Sequence, residues 1–188
     1  IDPANGIDGL MDVGIAEGKI AQVQAQIAPE NAKIVVEAGG LVVIPGLLDI
    51  HTHVYPLFFK GSHYVEAIHA DAHLLAGGVT TTVDVGTVGW QDFPEFKERH
   101  IDRSKVRIFA LINIAKGGMV ASESEQTEAD FQPEMVAALC KAYPETILGI
   151  KTAHYWTQLP WDETHHPWSS VEAAVEAGEL CSMPVMVD

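Results

Sequence analysis

Two histidines one residue apart, His51 and His53, close the run Gly46-Leu-Leu-Asp-Ile-His-Thr-His53. Alternate side chains of a β-strand share a face, so a strand here turns both imidazoles to the same side, the arrangement in which an imidazole pair chelates a divalent metal. Asp49 has the same parity one step deeper, where a carboxylate orients a ligand or completes the surroundings of the site. The next residues, Val54-Tyr55-Pro56, leave the strand. The histidines therefore fall at its C-terminal end, where parallel α/β enzymes build their sites. A bare His-x-His is also what two half-exposed strand residues look like. Here the strand is apolar and opens a long alternation of strands and helices, which favours metal.

Lys151 ends a second apolar run, Ile147-Leu-Gly-Ile-Lys151. An ammonium at the end of a buried parallel strand costs desolvation free energy unless something compensates. As a cation it snorkels to solvent or pairs with a carboxylate such as Asp84. As a neutral amine it can add CO₂ and become a carbamate, an anionic ligand with two oxygens able to bridge two divalent cations. The presence of His51 and His53 favours the carbamate.

The elements that must position these residues follow from periodicity. Short strands at 12–16, 19–23 and 33–37, the first two joined at Glu17-Gly18, make a small β region over residues 1–45. From Gly46 to residue 188, strands at 46–53, 79–85, 106–113, 146–151 and 184–188 alternate with helices at 62–76, 91–100, 133–142 and a last one opened by the capping box Ser169-Ser-Val-Glu172. Such alternation means a parallel sheet with crossover helices. Four strand–helix units and a lone fifth strand fit either an open doubly wound sheet or part of a closed barrel, and periodicity alone does not choose.

Composition narrows the partners. The 188 residues are 47% hydrophobic and 20% charged, the balance of a globular protein, and the formal net charge is −15. An acidic surface does not suit nucleic acid or an anionic membrane, so a small-molecule substrate or another protein remains. The two cysteines, Cys140 and Cys181, each sit in an apolar helical pattern and read as buried thiols rather than a disulfide. There is no secretory leader pattern at the N-terminus and no apolar run long enough for a membrane span, so the expectation is a cytoplasmic protein.

Three segments together carry a family resemblance: Gly-Leu-Leu-Asp-Ile-His-Thr-His at 46–53, Gly-Gly-Val-Thr-Thr-Thr-Val-Asp-Val-Gly-Thr at 77–87 and Gly-Ile-Lys at 149–151. They closely resemble the amidohydrolase superfamily, in its dihydroorotase-like and deacetylase-like branch, and residues 12–21 resemble the N-terminal strands of that family's small β-sandwich. The resemblance chooses the barrel. It implies the N-terminal half of a (β/α)₈ TIM-type barrel at 46–188, preceded at 1–45 by part of the sandwich. A whole barrel needs about 250 residues, so the isolated half should have little activity, and the complete protein should be a homo-oligomer.

The resemblance further implies two divalent metal ions, most simply zinc, with His51 and His53 on one ion and a carboxylated Lys151 bridging both. The reaction would be hydrolysis of an amide, cyclic amide or N-acyl C–N bond by a metal-activated water. A proton-shuttling aspartate would lie beyond residue 188. The fifth strand ends in Asp188 where the family pattern commonly has histidine. Either Asp188 replaces that ligand, or the ligand follows it.

Asn113, His154 and Tyr155, at or just after strand ends, are substrate-contact candidates, and Asp84 is expected to serve a hydrogen-bonding role at least as much as a catalytic one. The aromatic stretch 155–168 reads as a loop that shapes a pocket. His165-His166 reads as solvated or packed on tryptophan, His63, His69, His73 and His100 as structural, and the acidic stretch 123–130 as a solvated loop. The competing reading is a non-catalytic scaffold of the dihydropyrimidinase-like type, against which His51, His53 and Lys151 speak. A nucleotide-binding open sheet is disfavoured because no Gly-x-Gly-x-x-Gly or Walker loop follows any strand.

Overall fold

The computed structural model describes residues 1–56, 67–120, 123–155 and 165–188. It divides into two units, Ile1–Pro45 and Gly46–Asp188. In the first, β1 (Asp12–Ala16) and β2 (Lys19–Gln24) form an antiparallel hairpin. Glu17 and Gly18 both take positive φ, 51° and 71°, the twist that a tight hairpin turn demands. The strand expected at 33–37 does not form. Ile34, Val35 and Val36 are exposed and find no ladder partner among the described residues, and an apolar run without one has nothing to pair its backbone.

The second unit holds β3 (Leu47–Thr52), β4 (Val79–Gly89), β5 (Arg107–Asn113), β6 (Ile147–Thr152) and β7 (Val185–Val187), every adjacent pair parallel. The sheet order is β3-β4-β5-β6-β7, the order of the chain. Each crossover therefore advances in the same direction, and the order never reverses. A doubly wound sheet needs such a reversal and a barrel wall does not, so the mixed α/β unit is a curled, singly wound parallel sheet.

The crossovers carry α1 (Phe93–Arg99), α2 (Pro133–Ala142) and α3 (Ser169–Cys181). Proline stands in the first turn of both α1 and α2, where its missing N–H has no intrahelical partner to lose. Phe93 and Phe96 of α1, Val136 and Cys140 of α2, and Ala174 and Ala177 of α3 are fully buried in the core with Ile112 and Ile150 of the sheet. Both cysteines are free, Cys140 buried and Cys181 half-buried. Burial and the adjacent Cys181 push the Cys140 thiol up to about 12, which leaves it inert. No helix among the described residues is long and apolar enough to cross a membrane.

Three further expectations are corrected. The helix placed at 62–76 falls partly outside the described residues. Its described end is a π turn, Ala70–Leu74, then a 3₁₀ turn, Leu75–Gly77, closed by Gly78 at φ 80°. Asp71 is drawn out of that turn to accept hydrogen bonds from Ser104 Oγ and the backbone N–H groups of Lys105 and Val106, which ties the crossover to the start of β5. The capping box at α3 is not made: Trp168 is the N-cap residue and Ser169 Oγ donates to Glu128 instead. Finally, β4 runs past residue 85 to Gly89, its ladder to β5 interrupted between Val85 and Gly89, where Gly86 takes φ 81°.

Candidate metal centre

Parallel pairing brings the C-terminal ends of all five strands to one edge, and the chemistry-bearing residues collect there. His51 is next to last in β3 and His53 follows the strand; Asp84 lies midway along β4 and Thr87 near its end; Asn113 ends β5; Lys151 is next to last in β6; Asp188 follows β7. The two imidazoles meet edge to face, ring centroids 5.8 Å apart. Asp188 Oδ2 stands 2.9 Å from Lys151 Nζ and 3.8 Å from His51 Nε2, so one carboxylate oxygen reaches both the lysine and a histidine. The alternative of a Lys151–Asp84 pair is thereby corrected, because the partner of Lys151 is Asp188. Lys151 is 2% exposed, whereas the Asp188 side chain is 56% exposed. The lysine's hydrogen bond and charge hold the Asp188 carboxyl below its ordinary range.

The His53 ring is fixed from behind. Thr87 Oγ1 donates to Asp84 Oδ2 at 2.8 Å and lies 2.7 Å from His53 Nδ1. A hydroxyl has one hydrogen, so Thr87 accepts from His53, Nδ1 carries the proton, and Nε2 keeps a lone pair for a metal. Asp84, fully buried, also accepts from the backbone N–H groups of Val54 and Thr87, which pins the chain just after His53 to β4. Burial raises the Asp84 pKa against the opposition of these donors. Burial also lowers the pKa of His53; Asp84 opposes this, and the neighbouring His51, Lys151 and His154 reinforce it. The result is a neutral imidazole, the form that ligates. Asp49 uses Oδ1 to accept the His51 backbone N–H at 3.1 Å, steadying the strand rather than the ring.

Gly86 sets how closely β4 approaches Lys151. A Cβ at residue 86 would lie 2.6 Å from Lys151 Cγ and 2.7 Å from its Cβ, and its φ of 81° disfavours any side chain.

Among the described residues no three His, Cys, Asp or Glu side chains already form a closed cation cage. The donor set nonetheless suits one: two imidazoles, one with its metal-binding nitrogen preset, a carboxylate shared between His51 and Lys151, and a buried lysine. A carbamate on Lys151 would turn the Lys151–Asp188 ion pair into two facing anions, and only cations between them make that arrangement favourable.

The substrate-contact candidates divide. Asn113 is buried and fully occupied: Nδ2 donates to Gly86 O and Glu125 Oε1, and Oδ1 accepts from Ala115 N–H. His154 contacts Glu125, while the Tyr155 hydroxyl donates to Glu128. Glu128 also receives Ser169 Oγ and the His166 N–H, and among the described residues His165 and His166 belong to no cluster able to hold a metal. The acidic stretch is therefore only partly a solvated loop, with Glu123 and Glu128 exposed. Ser124 and Glu125 are buried, and Ser124 Oγ bridges Gly117 N–H to Asp130. Sequence reasoning passed over Glu125 and Thr87. Thr87 has a faint signal in its Asp-x-x-Thr spacing from Asp84, whereas nothing local singles out Glu125 among four acids within eight residues. Most of the aromatic stretch at 155–168 lies outside the described residues.

No family model matches the chain. It is 30% identical over 141 residues to a deacetylase of Enterococcus faecalis (strain ATCC 700802 / V583), covering 75% of this chain and 37% of that protein. It is 33% identical over 134 residues to a dihydroorotase of Geobacter sp. (strain M21), covering 68% of this chain and 31% of that one. The crystal structure of an adenine deaminase superposes with a TM-score of 0.69 at 26% identity, over 95% of this chain and 46% of the other. The chain belongs to the amidohydrolase superfamily. It spans about a third of the length of these two curated relatives.

Proposed function

We propose that the whole protein hydrolyses a C–N bond of a small molecule, an amide, cyclic amide or N-acyl compound, at a binuclear divalent metal site formed in part by His51, His53, Lys151 and Asp188. The observation that carries this is the convergence of Asp188 Oδ2 on both Lys151 Nζ and His51 Nε2, beside a His53 whose tautomer is preset by Thr87. Divalent ions there, zinc given imidazole and carboxylate donors, would lower the pKa of water and polarise the scissile carbonyl. The chain's own residues hold the site: Thr87 and Asp84 orient His53, Gly86 makes room for the Lys151 stem, and Asp188 pairs with the Lys151 ammonium; a carbamate would form only after that ammonium gives up a proton, the neutral amine then adding CO₂ and releasing a second proton. The relatives support C–N hydrolysis as the reaction class, since they bear the names deacetylase and dihydroorotase, and the structural neighbour is an adenine deaminase.

The same reading makes residues 46–188 the first half of a (β/α)₈ barrel and residues 1–45 part of a small β-sandwich. In its support, among the described residues β3 and β7 each have one neighbour in the sheet, and Leu47, Leu48 and Ile50 of β3 are exposed apolar residues with the character of a surface to be covered. The test is elemental analysis and turnover of the full-length protein on dihydroorotate, acetylated amino acids and adenine. We expect about one to two zinc ions per chain and turnover of one of these compounds, both lost when His51 and His53 are replaced together by asparagine. Unchanged metal in that double variant would overturn the assignment.

A further inference from the structure

Beside the proposed metal ligands lies a second polar cluster, built from residues 113, 125, 126 and 154. Glu125 is 4% exposed, and a buried carboxylate needs its lone pairs satisfied. Its Oε1 accepts Asn113 Nδ2 at 2.8 Å, and its Oε2 lies 3.2 Å from His154 Nδ1. Asn113 cannot turn over, because its other amide hydrogen goes to Gly86 O at 3.1 Å and its carbonyl receives Ala115 N–H at 3.0 Å. The carboxylate only accepts, so the histidine must donate, and a neutral His154 carries its hydrogen on Nδ1 with the lone pair on Nε2.

The backbone of His154 is held by the same short segment. Its φ is 59°, in the left-handed region, and its carbonyl accepts a hydrogen bond from Gln126 Nε2. Residues 125 and 126 thus grip both the ring and the main chain of one histidine that stands in an uncommon conformation. The His154 side chain nevertheless remains 57% exposed, so a tightly ordered imidazole is kept open on its other side. Its location ties it to the candidate centre. Asn113 pairs in register with Lys151, and the Gly86 whose carbonyl Asn113 binds is the residue packed on the Lys151 stem.

We propose that Glu125 is a positioning residue that locks His154 as the Nδ1–H tautomer, so that Nε2 accepts a hydrogen bond from an N–H or O–H of the substrate bound at the neighbouring strand ends. The substrate class so selected carries a hydrogen-bond donor next to the bond that is cleaved. The site of action rests on the metal-centre reading, whereas the tautomer does not.

The experiment is histidine ¹⁵N NMR on the full-length protein, with His154 assigned by its loss in His154→Gln. The expected state is Nδ1–H. Glu125→Gln keeps the shape of the side chain but must turn its oxygen to Asn113, which presents an amide N–H to His154 Nδ1. The ring then has to accept there and move its hydrogen to Nε2. We expect that switch, an unchanged zinc content, and a KM raised about tenfold with a smaller change in kcat, the signature of one lost substrate hydrogen bond. An Nε2–H ring in the parent, a tautomer unmoved by Glu125→Gln, or zinc lost from that variant would each overturn the proposal. A parent protein without zinc would defeat the metal centre, and the NMR result would still decide the role of Glu125.

Discussion

The Thr87 hydroxyl stands 2.7 Å from Nδ1 of His53 while giving its own hydrogen to Asp84, so it can act toward the imidazole only as an acceptor. This one relationship leaves Nε2 as the nitrogen of His53 that keeps a lone pair. Thr87→Val keeps the β-branched shape and removes the acceptor, while Asp84 retains its two backbone donors. Zinc affinity of the full-length protein should fall about tenfold to a hundredfold, the usual effect of losing such an outer contact. Thr87→Ser should retain most of it. Competition with a fluorescent chelator measures both, and equal affinity of the valine variant with the parent would remove Thr87 from the site.

Lys151 and Asp188 separate a cationic from a carboxylated lysine. Lys151→Arg keeps the positive charge and a salt-bridge partner for Asp188 but cannot form the carbamate. If the carbamate is a ligand, both Lys151→Arg and Lys151→Ala lose zinc and turnover, and a short carboxylic acid such as propionate restores part of each only in the alanine variant, where there is space for it. Zinc retention and activity in Lys151→Arg would sink the carbamate.

Gly86 gives a purely steric test. An alanine there would carry both the cost of a left-handed φ and a Cβ at 2.6 Å from the Lys151 stem, which is itself buried and cannot swing away. Gly86→Ala should lower stability by about 2 kcal/mol or more. Chemical denaturation of the full-length protein measures this, and a loss below about 0.5 kcal/mol, the range of an ordinary surface substitution, would mean the two strands are less tightly packed than described.

What the sequence made legible was periodic or chemically singular. The parity of His51 and His53, the apolar run into Lys151 and the alternation of strands with α1, α2 and α3 all follow from spacing along one segment. The acceptor behind His53 and the clamp on His154 did not, because each joins segments far apart in the chain: Thr87 is 34 residues from His53 and Glu125 is 29 from His154. The buried part of the stretch 123–130, Ser124 and Glu125, was missed for the same reason. A run of acids looks solvated until Asn113, His154, Tyr155 and Ser169 arrive as donors from β5, the segment after β6 and the start of α3. The failed capping box is the counterpart: Ser169 is the first helical residue rather than the N-cap, and its hydroxyl donates to Glu128 instead of accepting a helix N–H.

The lowered pKa of His53 makes a prediction about pH in the metal-free protein. An unfolded histidine takes a proton near pH 6.5, while folded His53 resists until the pH is lower, because burial and the nearby His51 and Lys151 outweigh Asp84. Between those two values the unfolded state holds more protons than the folded one, so stability rises with pH across the window and is lost as the solution is acidified through it. Asp84 works in the opposite sense: its raised pKa means that the folded state holds the extra proton, so its contribution weakens stability as pH rises. Comparison with His53→Gln isolates the first effect, since the glutamine can still donate to Thr87 but does not titrate. Denaturation of the chelator-treated full-length protein between about pH 7.5 and 5.5, the range that brackets histidine titration, should show a steeper loss in the parent than in the variant. Equal slopes, or a steeper slope in the variant, would show that His53 is not held neutral by its surroundings.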